Sequence, residues 1–521
     1  MAKKEEQKVL IRIENLKKYF PLKKPSIFDK EQLYVRANDD ISLEIYEGET
    51  LGLVGESGCG KSTLGRTLLQ LYEQTDGRTI YYGLDIDDIS PKYVREILEN
   101  LSQERDKLIE LQKEEAAAQE VYEKLPEGEE KLHALEKLRV AEREARLLYM
   151  DLTQLIGGFM VAEDLKPVSE ILLKEHAKTS EARAIRDEIN EFQVRIQAIQ
   201  SKLEEEGKSK KEIEDSVKND LLKIEEKEKE LERVEKELEN IHLEVEKLRE
   251  QYKSHPDFEK YEKYRDRGIN LARLTEEEMR VLRKDLQLIF QDPYSSLNPR
   301  LTVGQIISEG LYAHNMFAKG DKNIQDYILN TMDECGLAPY FVHRYPHQFS
   351  GGQRQRIGIA RSIALRPKFI VADEAVSALD VSIQSQILNL LLDLKESENL
   401  TYMFISHDLS VIKYISDRVG VMYLGSIVEL ANTEELFSHP MHPYTEALLS
   451  AIPTTDIDHK REVQILEGDV PSPIRPPSGC KFHTRCKYAT DICKIVVPEW
   501  EEARPGHFVA CHHKLNGQEE Q

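Results

Sequence analysis

The sequence predicts an α/β protein built around a phosphate-binding loop, with an inserted helical arm and a small cysteine-rich C-terminal domain. Three observations predict this fold class. A glycine-rich loop at 55–63 lies between an apolar strand and a helix. A stretch dense in Glu, Lys, Leu and Arg interrupts the α/β pattern at 91–274, and four cysteines lie within 480–511. Each of these elements carries its own chemical expectation.

The phosphate-binding loop is the strongest chemical signal in the chain. Residues 55–63 match G-x-x-x-x-G-K-[ST] between a predicted strand and a predicted helix, which is the context that the pattern requires. Glycines let backbone amides point at a phosphate, and the helix N-terminus adds partial positive charge. Lys61 is suited to bridge the β- and γ-phosphates, and the Ser62 hydroxyl to ligate Mg²⁺. The predicted nucleotide contacts are Gly55, Ser57, Gly58, Cys59, Gly60, Lys61, Ser62 and Thr63.

Two further motifs carry chemistry in the second half of the chain. The apolar run at 369–374 ends in two carboxylates. Asp373 is predicted to hold Mg²⁺ through water, and Glu374 to polarise the attacking water as general base. A Ser-Gly-Gly-Gln sequence at 350–353 predicts a second anion cradle at a helix start. Because one nucleotide does not need two cradles in one chain, the second is expected to serve the nucleotide of a partner.

The order of these motifs resembles that of the ATP-binding-cassette ATPases. The resemblance implies that two such domains enclose two ATP molecules head to tail. The Ser-Gly-Gly-Gln sequence at 350–353, called the signature in this family, would then reach the γ-phosphate bound by the other subunit. The resemblance also implies that His407 contacts the γ-phosphate, that Gln291 approaches Mg²⁺ and water and couples the site to a membrane partner, and that Asp380 links the two sites. The motifs follow one another as the phosphate loop, Gln291, Ser350-Gly351-Gly352-Gln353, Asp373-Glu374, Ser377-Ala378-Leu379-Asp380 and His407.

A closer resemblance connects the chain with the ATPase subunits of oligopeptide and dipeptide permeases, the OppF-type subunit in particular. It covers about residues 8–90 and 275–515, and it implies an ATP-hydrolysing subunit that powers peptide uptake through partner membrane permeases. One departure is Ala375, where the family usually has proline; this loosens the backbone but removes no reacting group. The segments that carry the resemblance are 289–300, 344–353, 380–384, 422–425, 439–448 and 471–486.

Two side chains near the nucleotide are predicted more locally. By the same resemblance Phe20, or its neighbour Tyr19, stacks on adenine, although an aromatic residue before Pro21 is equally consistent with core packing. Cys59 lies near a helix N-terminus, which lowers the pKa of a thiol. We therefore expect alkylation of Cys59 to block ATP binding, and bound ATP to protect Cys59 from alkylation. Cys335 is expected to be a buried side chain that packs in the core.

Composition limits the function classes. The 521 residues suffice for two or three domains, and a net charge of −23 without a long basic patch disfavours a dedicated nucleic-acid binder. The N-terminal sequence lacks the apolar core of a signal peptide, and no apolar run approaches the roughly 18 to 20 residues of a spanning helix. We expect a cytoplasmic protein that reaches the membrane through partner subunits. Structural disulfides are therefore disfavoured.

The insertion does not fit the permease pattern. Apolar residues alternate by four and three in two segments, the a/d pattern of a coiled coil. A polar break at 204–210 predicts a hairpin turn between them, and a second helical pair is predicted at 93–125 and 131–156. A solvated decoration and a docking arm for a partner both remain open. The two heptad segments contain Ile185, Ile189, Phe192, Ile196, Ile199 and Leu203, and Leu231, Val234, Leu238, Ile241, Val245 and Leu248.

The insertion also raises an alternative of another class. Chromosome-structuring and DNA-repair ATPases are cassettes split by long coiled coils, but in them the coil lies between the glutamine loop and the signature. Here the insertion precedes Gln291 and contains no Cys-x-x-Cys. Translation-factor cassettes are a further alternative, but they carry two nucleotide domains, and this chain has one phosphate loop and one signature. Motif position therefore favours the transport ATPase.

The cysteine-rich C-terminal region gives a second chemical signal. Four thiols within about thirty residues of a cytoplasmic chain more often mean metal than disulfides. Zinc ribbons prefer closer pairs, and four thiolates can also hold an iron–sulfur cluster. Resemblance to the C-terminal domain of peptide-permease ATPases implies a [4Fe–4S] cluster; Zn²⁺ and unliganded thiols stay open. The cysteines are Cys480, Cys486, Cys493 and Cys511.

The expected organisation has four segments. The nucleotide-binding domain occupies 1–90 and 275–435, with a helical subdomain around 305–366. The arm occupies 91–274 and the cysteine-rich domain 436–521. Expected cofactors are ATP and Mg²⁺, with the [4Fe–4S] cluster or Zn²⁺. Expected partners are a second, non-identical ATPase subunit, two membrane permease subunits, an extracytoplasmic binding protein and an unknown partner for the arm.

Overall fold

A computed structural model describes residues 7–23, 32–126, 128–318, 320–451 and 466–516. Within these residues two β-sheets of four and eight strands form the core. The strands are β1 (Val9–Pro21), β2 (Tyr34–Tyr46), β3 (Thr50–Val54), β4 (Asp76–Tyr81), β5 (Ile269–Asn270), β6 (Leu286–Ile289), β7 (Phe369–Asp373), β8 (Thr401–Ile405), β9 (Arg418–Tyr423), β10 (Ser426–Asn432), β11 (Glu501–Arg504) and β12 (His507–Val509).

Helices surround the sheets and form the insertion, and several short 3₁₀ turns connect them. The α-helices are α1 (Lys61–Leu68), α2 (Ile86–Ile89), α3 (Lys92–Glu99), α4 (Leu101–Lys124), α5 (Glu129–Ile156), α6 (Lys166–Glu205), α7 (Lys210–Tyr252), α8 (Phe258–Glu262), α9 (Glu276–Leu282), α10 (Val303–Ala313), α11 (Asn323–Glu334), α12 (Gly351–Ile363), α13 (Val381–Glu398), α14 (Leu409–Ile415), α15 (Thr433–Ser438), α16 (Pro443–Ser450) and α17 (Asp491–Ile495).

The eight-stranded sheet gathers the predicted motifs at one edge. Its order is β11-β12-β10-β9-β3-β8-β7-β6, and the strands from β9 to β6 are parallel. Strands β3, β7 and β8 are buried along their whole length, which explains their continuous apolar sequences. The carboxyl ends of parallel strands meet at one edge, where such sheets bind ligands. The loops after β3, β6, β7 and β8 therefore lie together.

The C-terminal residues are joined to the same sheet. Strand β12 pairs antiparallel with β10, and β11 pairs with β12. Phe482 is 2% exposed and belongs to the main hydrophobic core. The sequence predicts a small cysteine-rich domain at 436–521; in the structure its described residues extend the eight-stranded sheet and contribute to the main core.

The second sheet is antiparallel and covers the N-terminal side. Its order is β2-β1-β4-β5. Strand β5, at the C-terminal end of the inserted stretch 91–274, pairs with β4, which precedes that stretch. This pairing closes the α/β core across the inserted residues. Helices α10, α11 and α12 contribute to the main core through the buried side chains of Ile306, Ile328 and Ile357, where the sequence predicts a helical subdomain.

The insertion contains two long helical pairs, together with the short helices α3 and α8. The short segment 125–128 connects α4 to α5, and 206–209 connects α6 to α7. Ion pairs join α6 to α7, and the residue numbers of the partners on α7 decrease as those on α6 increase. The two helices are therefore antiparallel. None of the described helices combines the length and apolar character needed to cross a membrane. The ion pairs are Lys178–Glu237, Arg186–Glu235, Glu188–Lys227 and Arg195–Asp220.

Several residues of the predicted heptads face the partner helix. Ile185, Ile196 and Val234 are buried in one cluster near the middle of the α6–α7 pair. Val245 belongs to a second cluster at its base, together with residues of α3, α4 and α5. The apolar periodicity therefore marks the packed face of these two helices.

Candidate active site

The phosphate-binding loop connects β3 to α1, and it requires glycine at two of its positions. Gly60, at the N-cap of α1, has φ +104°. A β-carbon there would lie 2.1 Å from the carbonyl oxygen of Ala37, and one at Gly55 would lie 2.1 Å from that of Met422. Neighbouring backbone therefore packs against the outside of the loop.

The ammonium group of Lys61 lies within this loop. Its Nζ donates to the carbonyl oxygens of Gly55 at 2.7 Å and Glu56 at 3.1 Å. The side chain is 5% exposed. A phosphate bound by the loop would meet a positive charge that the chain already holds in place.

Two side-chain oxygens that could ligate a metal ion lie beside the loop. The Ser62 hydroxyl donates to Asp373 Oδ1 at 2.5 Å, and Arg66 lies 3.3 Å from Asp373 Oδ2. A hydroxyl and a carboxylate oxygen are the ligand types that Mg²⁺ prefers. The residues present therefore fit the Mg²⁺ that a nucleotide would bring.

Glu374 is the point where the loops after β6, β7 and β8 converge. Gln291 donates from Nε2 to Glu374 Oε2 at 2.7 Å, and His407 Nδ1 lies 3.5 Å from Oε1. Glu374 has φ +47°, a left-handed conformation that is uncommon for a residue with a side chain. Its amide donates to Ile405 O at 3.0 Å, which holds that turn in place. The three residues that the sequence predicts to act on the γ-phosphate and water are thus adjacent.

The signature lies on another part of the chain. Ser350 is the N-cap of α12 and forms a capping box with Gln353. Asp380 is exposed at the N-terminus of α13. In the part of the chain that the structure describes, no hydrogen bond or ion pair joins 350–353 to the loop at 55–63. A single chain therefore does not unite the two predicted anion cradles.

The two candidate adenine-stacking residues are adjacent on β1, so their side chains point to opposite faces of the sheet. Phe20 makes an edge contact with Tyr72 at 5.4 Å between ring centres, and Lys18 Nζ lies 4.7 Å from its ring. Tyr19 instead donates its hydroxyl proton to Asp39. Tyr72 in turn accepts from Arg66 at 3.2 Å, which connects the Phe20 face to the Ser62–Asp373 pair.

The predicted acidity of Cys59 is wrong. Burial raises the pKa of the Cys59 thiol, and this effect outweighs the lowering by nearby Lys61. The side chain is only 5% exposed. Desolvation therefore dominates over the helix N-terminus on which the prediction was based. Cys335 is fully buried, as expected.

The four C-terminal cysteines lie close enough to influence one another. Burial raises the pKa of Cys480 to about 11 and that of Cys511 to about 12, and neighbouring thiols act in the same direction. All four are free cysteines. Among the described residues, however, no group of three or more His, Cys, Asp or Glu side chains could hold a metal ion. The donor type fits the expected cluster or zinc ion, but the arrangement does not support either.

Sequence reasoning missed two residues that support the loop through Glu56. The Glu56 carboxylate accepts from Arg485 at 2.8 and 3.1 Å, and its backbone amide donates to the Tyr444 hydroxyl at 2.9 Å. Both partners lie about 390 to 430 residues further along the chain. No local pattern marks such contacts, although Arg485 lies inside a segment that the permease resemblance covers.

Two family patterns match the chain. The family described as ABC transporter matches residues 38–255 and 260–377, which together are more than half of the chain. The family described as oligopeptide/dipeptide transporter, C-terminal region, matches residues 428–493. These ranges contain the loop, the carboxylates and Arg485.

Named relatives agree with these matches. The oligopeptide transport ATP-binding protein AppF of Bacillus subtilis (strain 168) is 55% identical over 249 residues, which are 47% of this chain and 75% of that protein. A putative peptide import ATP-binding protein of Brucella ovis is 54% identical over 244 residues, or 47% of this chain and 76% of its own. The putative oligopeptide transport ATP-binding protein YkfD of Bacillus subtilis is 52% identical over 256 residues, 48% and 77% of the two chains.

Proposed function

Because the chain belongs to the ABC transporter family, we propose that it hydrolyses ATP to power peptide import through partner membrane permeases. The observation that carries the proposal is the convergence of Lys61, the Ser62–Asp373 pair and Glu374 at one sheet edge. The peptide cargo is supported by the names of the relatives and by the C-terminal family match. The DNA-acting alternative has no support from these similarities.

Binding begins at the loop between β3 and α1. Backbone amides of the loop and the Lys61 ammonium receive the phosphates, while Ser62 and Asp373 provide oxygen ligands for Mg²⁺. When bound, the ion would neutralise charge that develops on the phosphates. Phe20 would supply an aromatic face for the base.

Hydrolysis is proposed to depend on Glu374. The carboxylate accepts a proton from the attacking water as the water oxygen bonds to the γ-phosphorus and the bond to the ADP oxygen breaks. Gln291, which already donates to Glu374, positions the water, and His407 on the other carboxylate oxygen faces the γ-phosphate. ADP and inorganic phosphate are the products.

The γ-phosphate lid is proposed to come from a second subunit. The Ser350 hydroxyl and the amides of Gly351 and Gly352 lie at the start of α12, and they make no bond to the chain's own loop among the described residues. The Gln353 amide is already used in the capping box, where it donates to Ser350 Oγ. A head-to-tail dimer would bring this helix start over the partner's nucleotide. Asp380, exposed at the start of α13, would lie between the two sites. We propose a non-identical ATPase as the partner, docked on permease subunits at the cytoplasmic side of the membrane and supplied by a binding protein.

Uptake in reconstituted vesicles tests this function. The chain is combined with its cognate membrane subunits, second ATPase and binding protein, and entry of labelled peptide is followed. Lys61→Ala should abolish uptake, because the phosphates lose their buried cation. The matched control Lys107→Ala removes an exposed lysine of the arm and should leave uptake unchanged. Full uptake by the Lys61 variant would refute the proposal.

We further propose that the α6–α7 pair is a coiled-coil docking arm. The pair extends beyond its base cluster. Near its far end Ser201 donates to Asp321 Oδ1 at 3.1 Å, so the pair also contacts the residues just before α11. Leu221, Leu222 and Leu243 are about half exposed on α7, which leaves apolar surface for another protein.

Shortening the arm tests the docking role. Residues 184–233 are replaced by a short turn, which keeps the base cluster, the bond from Arg183 to the Ile89 carbonyl oxygen and the Lys178–Glu237 pair. ATP affinity should be unchanged, because the loop at 55–63 makes no contact with the removed part among the described hydrogen bonds. Loss of a co-purifying partner or of uptake is the expected result. Unchanged complex composition and transport would remove the docking role.

A metal at the four cysteines also stays a proposal. The proposal is supported by the four free thiols in one region. The arrangement of these thiols among the described residues does not support it. Iron, sulfide and zinc analysis of anaerobically purified protein decides between a [4Fe–4S] cluster, Zn²⁺ and unliganded thiols. Protein without iron or zinc would refute both metal assignments.

A further inference from the structure

An ion pair connects the C-terminal region directly to the phosphate-binding loop. Both terminal nitrogens of Arg485 donate to the Glu56 carboxylate, at 2.8 and 3.1 Å. The Arg485 side chain is 6% exposed and that of Glu56 is 28% exposed. Two parallel bonds of this kind fix the relative orientation of both groups. Glu56 is the second residue of the loop pattern, so this contact acts on the nucleotide site itself.

Other atoms of Glu56 are held as well. Its amide donates to the Tyr444 hydroxyl at 2.9 Å, and its carbonyl oxygen accepts from Lys61 Nζ at 3.1 Å and from the Cys59 amide at 3.2 Å. The first turn of the loop therefore depends on side chains from the core, the loop and the C-terminal region at once.

The position of Arg485 is also fixed by neighbouring residues. Its amide donates to the Phe482 carbonyl at 3.0 Å. The Phe482 ring packs against Tyr423, His442 and Tyr444, with ring centres 5.2 to 5.6 Å apart. The guanidinium is thus presented to the loop by a buried aromatic cluster and not by a free surface chain.

We propose that Arg485 is a positioning residue for ATP, which neutralises Glu56 and thereby lets the phosphate-binding loop accept a polyanion. This inference rests on the proposed nucleotide site and adds the C-terminal region to it. Without Arg485, the carboxylate would remain in the loop next to the phosphates and repel them. With it, that charge is paired and the loop keeps the net positive contribution of Lys61.

Equilibrium ATP affinity tests the proposal on the full chain, by displacement of a fluorescent ATP analogue. Arg485→Gln should weaken ATP binding about tenfold, because an unpaired negative charge then remains on the loop that binds the phosphates. Glu56→Gln should bind ATP at least as tightly as the unmodified chain. The double variant should return to within about threefold of the unmodified chain, because both charges are gone. The matched control Lys494→Gln, an exposed cation of the same region, should change nothing.

Opposite effects of the two single variants separate charge neutralisation from a merely structural bond. If Arg485→Gln and Glu56→Gln weaken binding equally, or if Arg485→Gln binds normally, the proposal is overturned. If Arg485→Gln loses the native circular dichroism spectrum, the test uses the ATP affinity of Glu56→Gln alone. Weaker ATP binding by Glu56→Gln would then contradict the proposal. An unmodified chain that binds no ATP would refute the proposed function, whereas normal binding with unresponsive variants refutes only the role of Arg485.

Discussion

Glu374 shows how the chemistry depends on the conformation of one residue. Its left-handed backbone directs the carboxylate to the side where both Gln291 and His407 approach it. Ala375 follows directly and is buried. The Glu374 amide donates a hydrogen bond to Ile405 at the end of β8, which holds the backbone at this turn. The turn therefore does not need the proline that the family usually has at 375.

Removing the Glu374 carboxylate should stop turnover but keep ATP bound. In Glu374→Gln the amide cannot accept the water proton, whereas Lys61, Ser62 and Asp373 are untouched. We expect a decrease in kcat of at least about a hundredfold, with ATP affinity within a factor of about three. Phosphate release and equilibrium binding measure the two effects. Hydrolysis at the full rate would show that Glu374 is not the general base.

Cys59 should react slowly but with a large consequence. Because burial raises the pKa of its thiol, the alkylation rate should increase steadily as the pH rises through neutrality and above. The thiol lies 3.7 Å from Lys61 Nζ, so a bulky adduct should block ATP binding, and bound ATP should protect the thiol. Mass spectrometry of peptides after timed labelling measures the rate. Normal ATP binding by fully modified protein would contradict this placement.

The residues around these groups could be predicted only in part. Lys61, Ser62, Asp373 and Glu374 were identified by short patterns in the sequence, and the order of the parallel strands then brings the loop after β3 next to the carboxylates at the end of β7. The pKa of Cys59 could not be predicted, because it depends on burial by distant chain segments. The Arg66 contact with Asp373 was missed for the same reason.

At the scale of secondary structure, His442 illustrates how an element end stabilises the fold. It caps α16, and its Nδ1 accepts from the Tyr444 amide at 3.0 Å. Burial lowers the pKa of His442 to about 4. The neutral ring is therefore the form that fits the folded core, next to the carboxylate of Glu429.

The cap of α16 should make the fold sensitive to acid. In the unfolded chain His442 binds a proton below about pH 6.5, whereas in the folded chain it does so only near pH 4. The free energy of unfolding should therefore fall by roughly 3 kcal/mol as the pH decreases from about 6.5 to about 4. His442→Asn keeps an acceptor for the Tyr444 amide but does not titrate, so this loss should disappear.

Denaturant unfolding at a series of pH values measures the effect. The exposed His343→Asn is the matched control and should show the same pH dependence as the unmodified chain. If His442→Asn loses as much stability as the unmodified chain over this pH range, burial of a neutral His442 is not the cause.

Secondary structure elements were the most predictable level. The apolar runs at β3 and β7 and the heptads of α6 and α7 correspond to buried strands and packed helix faces. The pairing of β12 with β10 was not predictable, because it joins Val509 to Glu429 across 80 residues without a shared pattern. The sequence therefore did not show that residues of the predicted cysteine-rich domain extend the sheet of the cassette.

At the scale of the whole molecule, the nucleotide site uses three parts of the chain. The loop comes from the first part, the carboxylates from the second, and Arg485 from the C-terminal region. A resemblance between motifs orders these parts along the chain but does not show which side chains touch. The contact between Glu56 and Arg485 needed the folded structure, since packing of Phe482 determines it.

We propose that ATP joins two cassettes, each closing the site of the other. The direct measurement is the mass of the Glu374→Gln chain with ATP and Mg²⁺, by light scattering, alone and with the second ATPase and membrane subunits. We expect an ATP-dependent ATPase dimer, which Ser350→Arg should prevent by obstructing the start of α12. An ATP-loaded chain that stays monomeric even beside its cognate subunits would contradict it.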